Sequence, residues 1–178
     1  VGFEPETVWD YELGWKAKLF DGKLRTQING FYMIYENFQT TKFDIFTTNT
    51  GTTNLTSSSK IYGLEAQADL RFGGLNLNAS LSYVHSKLGA SQLIDTRTLP
   101  PGASQLVQCG VGQNPPGCFD YSNSYQNISG SRNPYSPEVT INLGAEYDID
   151  TGHGILTPRV DFTYIGNQFA SVFQHPIF

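Results

Sequence analysis

The sequence of 178 residues is poor in charged residues, in histidine and cysteine, and in long apolar runs. Charged side chains make up 15% of it and the net charge is −5, so a nucleic-acid partner has no electrostatic support. No apolar stretch approaches the about 20 residues that a membrane-spanning helix needs. Aromatic residues nevertheless reach 13% and glycine 18 positions, which indicates an ordered chain rich in β-strands and polar loops.

The sequence also lacks the residue patterns that most classes of enzyme need for catalysis. The three histidines are scattered, there are only two cysteines, and no glycine-rich phosphate loop lies between a strand and a helix. Serine, histidine and aspartate occur without the motif that would indicate a nucleophile. We therefore predict no catalytic residue, no cofactor site and no metal site, and we do not expect an enzyme.

Apolar and polar residues alternate with a period of two in six stretches. In the first stretch Trp9, Leu13 and Leu19 lie at odd positions, and Glu12 and Lys16 lie between them. This pattern predicts β-strands that have one apolar and one polar face. The six predicted strands cover about residues 7–20, 23–38, 60–72, 75–86, 137–149 and 155–166.

Short turns alternate with long polar loops along the chain. The predicted turns are Asp21-Gly22, Gly73-Gly74 and about 150–153, and the predicted long loops are 39–59 and 87–136. Paired residues of a hairpin lie on one face, so an even-numbered turn must switch the apolar positions between odd and even numbers. All three turns show this switch, which predicts three antiparallel hairpins.

The length of the strands and the position of their aromatic residues favour a membrane barrel over a soluble sheet. The predicted strands are longer than the roughly five or six residues that are usual for strands of globular proteins. They are long enough to span a membrane, for which a strand needs about nine to eleven residues. Aromatic residues lie near the strand ends, as in the two aromatic belts of such barrels, although strands favour these residue types in general. The aromatic residues at these ends are Phe20, Phe72 and Tyr147 near the turns and Trp9, Tyr11, Tyr32, Tyr35, Tyr62, Tyr83 and Tyr164 near the loops.

Six strands are too few for a closed barrel, because the smallest membrane barrels have about eight. The chain also begins at Val1, without a methionine or a signal-peptide pattern. We therefore expect residues 1–178 to be a segment of a larger barrel domain.

Four stretches resemble strands of TonB-dependent outer-membrane receptors, in the order of that family and over most of the chain. They are PETVWDYELGWK (5–16), FYMIYENFQ (31–39), IYGLEAQADLRF (61–72) and NPYSPEVTINLGAEY (133–147). The resemblance implies an all-β fold, namely an antiparallel transmembrane β-barrel of about 22 strands that is filled by a plug domain. This chain would supply roughly strands 13 to 18 of such a barrel, without the plug.

The resemblance also implies a location and a function. Such receptors lie in the bacterial outer membrane and take up siderophores, vitamins or oligosaccharides, with energy relayed by TonB through the plug. The expected partners are therefore outer-membrane lipid, a small-molecule ligand and TonB, and loops 39–59 and 87–136 are expected to be extracellular. A passive porin-type channel and a soluble β-sandwich or adhesin remain as alternatives, and the ligand is not specified by the sequence.

The longest loop contains the candidate site residues. Cys109 and Cys118 are predicted to form a disulfide, because an extracellular loop is an oxidising location and Pro115-Pro116-Gly117 turns the chain back between them. A metal site is the rival interpretation, but no nearby histidine completes a zinc set. Phe119, Tyr121 and Tyr125 are candidate ligand contacts, because aromatic platforms with amide neighbours are common in binding sites. The alternative, which we favour, is that these rings pack the loop against its neighbours.

Overall fold

The computed structural model describes residues 2–174, and its main element is a six-stranded antiparallel sheet, here called the wall. The wall strands, which lie side by side in chain order, are β1 Thr7–Leu19, β2 Leu24–Glu36, β5 Ser59–Phe72, β6 Leu75–Lys87, β11 Val139–Tyr147 and β14 Arg159–Ile165. The shorter strands are β3 Gln39–Asp44, β4 Asn49–Asn54, β7 Gln92–Ile94, β8 Val107–Gln108, β9 Cys118–Phe119, β10 Tyr125–Asn127, β12 Ile149–Asp150 and β13 Ile155–Leu156. The only helices of the described residues are the 3-10 turns Thr96–Thr98 and Ala103–Gln105, and no helix among them is long and apolar enough to cross a membrane.

The register of the wall places apolar positions opposite apolar positions. Leu13 of β1 pairs with Gly30 of β2, and Gly30 pairs with Leu64 of β5. The same row continues through Tyr83 of β6 to Val139 of β11. Because neighbouring residues of a strand point to opposite faces, the wall has one apolar and one polar face throughout. The predicted antiparallel all-β fold with three hairpins is therefore confirmed, and the sheet is not closed within the described residues.

The first hairpin turn is longer than the Asp21-Gly22 turn that the sequence predicted. Leu19 pairs with Leu24, so four residues lie between the strands. Phe20, Asp21 and Gly22 have φ values of 54°, 57° and 82°, a left-handed run that separates the strand ends before they pair. The turn still has an even number of residues, so the face switch that predicted the hairpin is unaffected.

The third hairpin turn also differs from its predicted position at 150–153. Asp150 still pairs with Ile155, and Ile149 pairs with Leu156, in a short ladder beyond the wall. The turn therefore comprises residues 151–154, where the backbone N–H of Thr151 donates to the Gly154 carbonyl at 3.0 Å. This ladder extends the hairpin beyond β11 and β14.

The buried apolar clusters of the described residues lie outside the wall. Three segments follow β2, β6 and β14 at one end of the wall strands, namely residues 37–58, 88–138 and 166–174. Together they form a structure that we call the cap. One of its clusters contains Leu55, Leu88, Leu93 and Ile128, with Phe38, Val172 and Phe173 packed against it. The other contains Phe43, Ile94 and Tyr121, with Ile45, Leu99 and Phe119 against it. All three segments contribute side chains, so the cap is one packed unit and not a set of separate loops.

Candidate functional site

The apolar face of the wall is not covered by protein. Leu13, in the middle of β1, is 82% exposed, and Val160 of β14 is 72% exposed. Ile28, Leu64 and other inner-strand residues of this face are exposed as well. An uncovered apolar surface this large marks an interaction surface, because monomeric soluble proteins keep such patches small.

Aromatic rings of the apolar face form rows near the two edges of the wall. Near the cap, Tyr11, Tyr32, Tyr62 and His85 lie directly opposite one another on four successive strands. The rings of Tyr32 and Tyr62 stack with their centroids 6.3 Å apart. Amphipathic rings at both edges of an apolar band are the arrangement expected at the two lipid–water boundaries of a membrane barrel.

At the turn edge Phe72 and Tyr147 flank Leu75 in a single row. Trp15 lies between the two aromatic rows and pairs with Ile28 in the centre of the band. Trp15 therefore belongs to neither aromatic row.

The polar face carries an ion-pair network on β11 and β14. The guanidinium of Arg159 lies 3.0 Å from Glu146 Oε2 and 2.7 Å from Asp161 Oδ1. Its Nη2 also donates to Asn78 Oδ1 at 3.4 Å. Gly144 of β11 lies between Asn78 of β6 and Asp161 of β14 and leaves room for the network. A Cβ there would overlap the Asn78 side chain and lie 2.8 Å from Asp161 Oδ1. The carboxylates of Glu146 and Asp161 are therefore ion-pair partners of Arg159.

A polar cleft of about 440 Å³ extends from this network toward the hairpin turns. Charges of both signs line it, with four cationic side chains and two anionic ones. Its charged lining residues are Lys23, Arg25, Asp69, Arg71, Glu146 and Arg159.

The cysteines of the longest loop are joined in the structure. Cys109 and Cys118 form a disulfide with their Cα atoms 5.3 Å apart. The strands β8 and β9 beside the bridge run parallel, and the Cys109 backbone N–H donates to the Phe119 carbonyl at 3.0 Å. The bridge therefore closes a small structured loop within the cap.

Asp120 organises this disulfide loop through its carboxylate. The backbone N–H groups of Gly112 and Ser122 donate to it at 2.7 and 2.9 Å, and Gln108 Nε2 donates at 3.3 Å. The bonds from Gly112 and Ser122 hold the pKa of Asp120 well below its ordinary value, because they stabilise the ionised form. Asp120 is thus a structural carboxylate of the loop and is not poised to transfer a proton near neutral pH.

Tyr121, one of the three predicted ligand contacts, is 0% exposed and lies in the cap core. Its ring makes edge contacts with Phe43 and Phe119 at centroid distances of 5.8 and 5.0 Å. Its hydroxyl donates to the Ala103 and Leu106 carbonyls, the latter at 2.7 Å, and burial raises the pKa of this hydroxyl. The ring is buried in the cap core, as the favoured interpretation of loop packing expects.

Phe119 and Tyr125 have different environments. Phe119 is half-buried and packs against the Tyr121 cluster, so it contributes mainly to the cap core. Tyr125 is 36% exposed and lines an open cleft at the far side of the β3–β4 hairpin. Tyr125 thus lies at the surface of the cap, in contrast to Tyr121.

We call this second cleft, of about 440 Å³, the hairpin cleft. The residues that matter for its chemistry are Phe3, Lys42, Asp44, Phe46, Thr53 and Tyr125. Only Tyr125 was predicted from the sequence. Two further aromatic residues among threonines, in the stretch KFDIFTTNTGTT (42–53), are the signal that could have indicated the hairpin.

A metal site finds no support in the part of the chain that the structure describes. Residues 2–174 contain no group of three or more histidine, cysteine, aspartate or glutamate side chains that could hold an ion. The two cysteines, which the rival interpretation assigned to a metal, are consumed by the disulfide.

The chain is similar to a known protein family. Residues 1–174 match the family model described as "TonB dependent receptor-like, beta-barrel". No solved structure matches the chain.

Proposed function

Because the chain belongs to the β-barrel family of TonB-dependent receptors, we propose that it serves an outer-membrane receptor for active uptake of a siderophore, a vitamin or an oligosaccharide. The family consists of outer-membrane transport barrels of Gram-negative bacteria and is not an enzyme family. In this proposal residues 1–178 are part of the barrel domain, and TonB acts through a plug domain outside this chain. The cap, including loops 39–59 and 87–136, lies on the extracellular side.

The observation that carries this proposal is the contrast between the two faces of the wall. Leu13 and Ile28 lie on a broad apolar face without protein cover, while Gln27 and Glu65 lie on the polar face. A soluble sandwich would bury the apolar face against a second sheet, whereas lipid covers it in a membrane barrel. The polar face would then line the lumen, where ion pairs such as that of Arg159 and Glu146 remain hydrated.

Spin labels attached in the complete receptor test this orientation. Labels at Leu13 and Ile28 are expected to be relaxed by oxygen, which partitions into lipid. Labels at Gln27 and Glu65 are expected to be relaxed by a water-soluble nickel chelate. The reverse pattern, or absence of the protein from the outer-membrane fraction, would contradict the proposal.

A permeability assay separates the receptor from a passive channel. Liposomes that contain the complete protein are expected to resist swelling in small sugars, because a plug fills the lumen of a receptor. Rapid swelling would indicate an open porin-type pore, with the same wall but without active uptake.

A further inference from the structure

We propose that the hairpin cleft is a binding site for a neutral oligosaccharide of two or more sugar rings. This inference rests on the proposed function, because it names the ligand class and the place where the cap binds it. The site combines three chain segments: the residues before β1, the β3–β4 hairpin and the start of β10.

Three aromatic side chains border the cleft and remain accessible. Phe46 is 77% exposed at the turn of the hairpin, Phe3 is 56% exposed, and Tyr125 is 36% exposed. Among the described residues these rings do not stack on one another, so each can contact a ligand. Separate rings along one cleft suit an extended ligand that offers an apolar ring face at several points.

The segment that carries Phe3 is fixed to the base of the hairpin. The Glu4 backbone N–H donates to Asn54 Oδ1 at 2.7 Å, and Asn54 Nδ2 donates back to the Glu4 carbonyl at 3.0 Å. Gln39 adds two bonds, from its side chain to the Glu4 carbonyl at 3.2 Å and from its backbone to Glu6 Oε1 at 2.7 Å. Phe3 therefore borders the cleft on a segment that is hydrogen-bonded beside it.

The other two rings are positioned by the cap core and the hairpin turn. Tyr125 pairs with Ile94 of β7, and Ile94 packs in the buried cluster with Phe43 of β3. Asp44 Oδ1 accepts backbone N–H bonds from Phe46 and Thr47 at 2.8 and 3.2 Å, which shape the turn that carries Phe46. A preformed cleft binds its ligand with a smaller ordering cost than a mobile loop.

The polar groups of the cleft favour an uncharged ligand with many hydroxyls. Lys42 and Asp44 lie on the same strand two residues apart, so the single cation and the single anion among these residues balance. The ammonium of Lys42 donates and the carboxylate of Asp44 accepts, while the hydroxyl of Thr53, on the same face of the hairpin, does both. An anionic ligand would meet the carboxylate without a surplus of cations, whereas sugar hydroxyls can use both kinds of partner.

Binding measurements on the complete receptor in detergent test the proposal. The probes are neutral gluco-, xylo- and chito-oligosaccharides of increasing length, and their binding is measured by titration calorimetry. We expect at least one series to bind with an affinity that increases from one sugar ring to several. Phe46→Ala and Tyr125→Ala are each expected to weaken this binding about tenfold, the effect of losing one ring contact.

The matched control is Tyr135→Ala, which removes an aromatic ring of the cap that is 70% exposed and does not border the cleft. It should leave oligosaccharide affinity unchanged. Circular dichroism and outer-membrane insertion are compared for all variants, so that misfolded protein is recognised.

Three results would overturn the inference. Binding that is insensitive to Phe46→Ala and Tyr125→Ala would place the ligand elsewhere. Binding of a ring-bearing anion such as dihydroxybenzoate that is lost in Lys42→Ala, or no binding of any oligosaccharide series by inserted protein, would refute the ligand class. Failure of the receptor to reach the outer membrane would instead contradict the proposed function, so the two failures are distinguishable.

Discussion

Tyr121 shows at the residue scale how one side chain can organise a whole loop structure. Its ring joins the β3–β4 hairpin, through Phe43, to the disulfide loop, through Phe119. Its hydroxyl also satisfies carbonyls of the 3-10 turn that contains Ala103. Tyr121 thus bridges three parts of the cap. Because this role needs both an apolar ring and a polar tip, a tyrosine suits this position.

We therefore expect Tyr121→Phe to loosen the cap locally. The substitution leaves the partly buried Leu106 carbonyl without this donor, which costs about 1–3 kcal/mol, while the Ala103 carbonyl keeps its bond from the Leu106 backbone N–H at 3.0 Å. Hydrogen exchange should become faster for the amides of residues 103–106, whereas Tyr125→Phe, at an exposed position, should leave it unchanged. Equal exchange in Tyr121→Phe and the unaltered protein would show that this hydroxyl has no structural role.

Gly63 shows at the element scale how a wall strand depends on the absence of a side chain. It pairs with Phe31 on β2 and Val84 on β6, on the polar face of the wall. The Phe31 ring lies over it, and a Cβ at position 63 would be 2.6 Å from Phe31 Cζ and would overlap the Tyr83 carbonyl oxygen. Gly63 thus allows the Phe31 ring, on the polar face of the wall, to pack against the backbone.

Gly63→Ala is therefore expected to destabilise the wall. Because the Tyr83 oxygen belongs to the backbone, the strand itself must shift, and overpacking of this kind costs about 1–3 kcal/mol. The measurement is the midpoint of urea unfolding in detergent, or the share of protein inserted in the outer membrane. Gly30→Ala is the control on the neighbouring strand, since its Cβ would meet only the Gly63 carbonyl at 3.9 Å; equal loss in both variants would refute the steric explanation.

The whole molecule has two parts that are held together by different forces. The wall depends on backbone ladders between long strands and on the medium that covers its apolar face. The cap has its own buried clusters, a disulfide and the carboxylate bonds of Asp120. The buried clusters of the cap are small. Burial of apolar surface therefore offsets only a small part of the conformational entropy that the cap loses on folding.

We expect the cap to unfold before the wall when urea is added to the receptor in detergent. Trypsin should then cleave after Arg97 and Arg132 of the cap at urea concentrations that still protect Arg25 and Arg71 of the wall. Reduction of the disulfide should shift only the first transition to lower urea. Simultaneous cleavage at all four sites would show that cap and wall unfold as one cooperative unit. An unstructured peptide substrate corrects for the effect of urea on trypsin.

The sequence by itself determined the wall, because period-two alternation and turn parity are local properties. The apolar residues from Trp9 to Leu19 and their partners from Leu24 to Ile34 fix which residues pair and which face each occupies. The family followed from strand motifs of the same kind, and the Cys109–Cys118 bridge from a short spacing and a turn between the two residues. The turn boundaries at residues 20–23 and 151–154 differed, because a one-residue change of a turn leaves little trace in the pattern. The predicted strands 137–149 and 155–166 are also interrupted in the structure, at Asp148 and at Thr157-Pro158.

Tertiary structure alone decided what the long loops do. Nothing local distinguishes Tyr121 from Tyr125, because both lie in the same polar stretch, four residues apart. Their exposure is set by distant partners: Phe43 and the Ala103 turn bury Tyr121, and the β3–β4 hairpin leaves Tyr125 at the edge of a cleft. The physical reason is that strand pairing leaves a repeating pattern of apolar and polar residues in the sequence. The cap core and the hairpin cleft are assembled from segments far apart in sequence, and their packing leaves no such repeat.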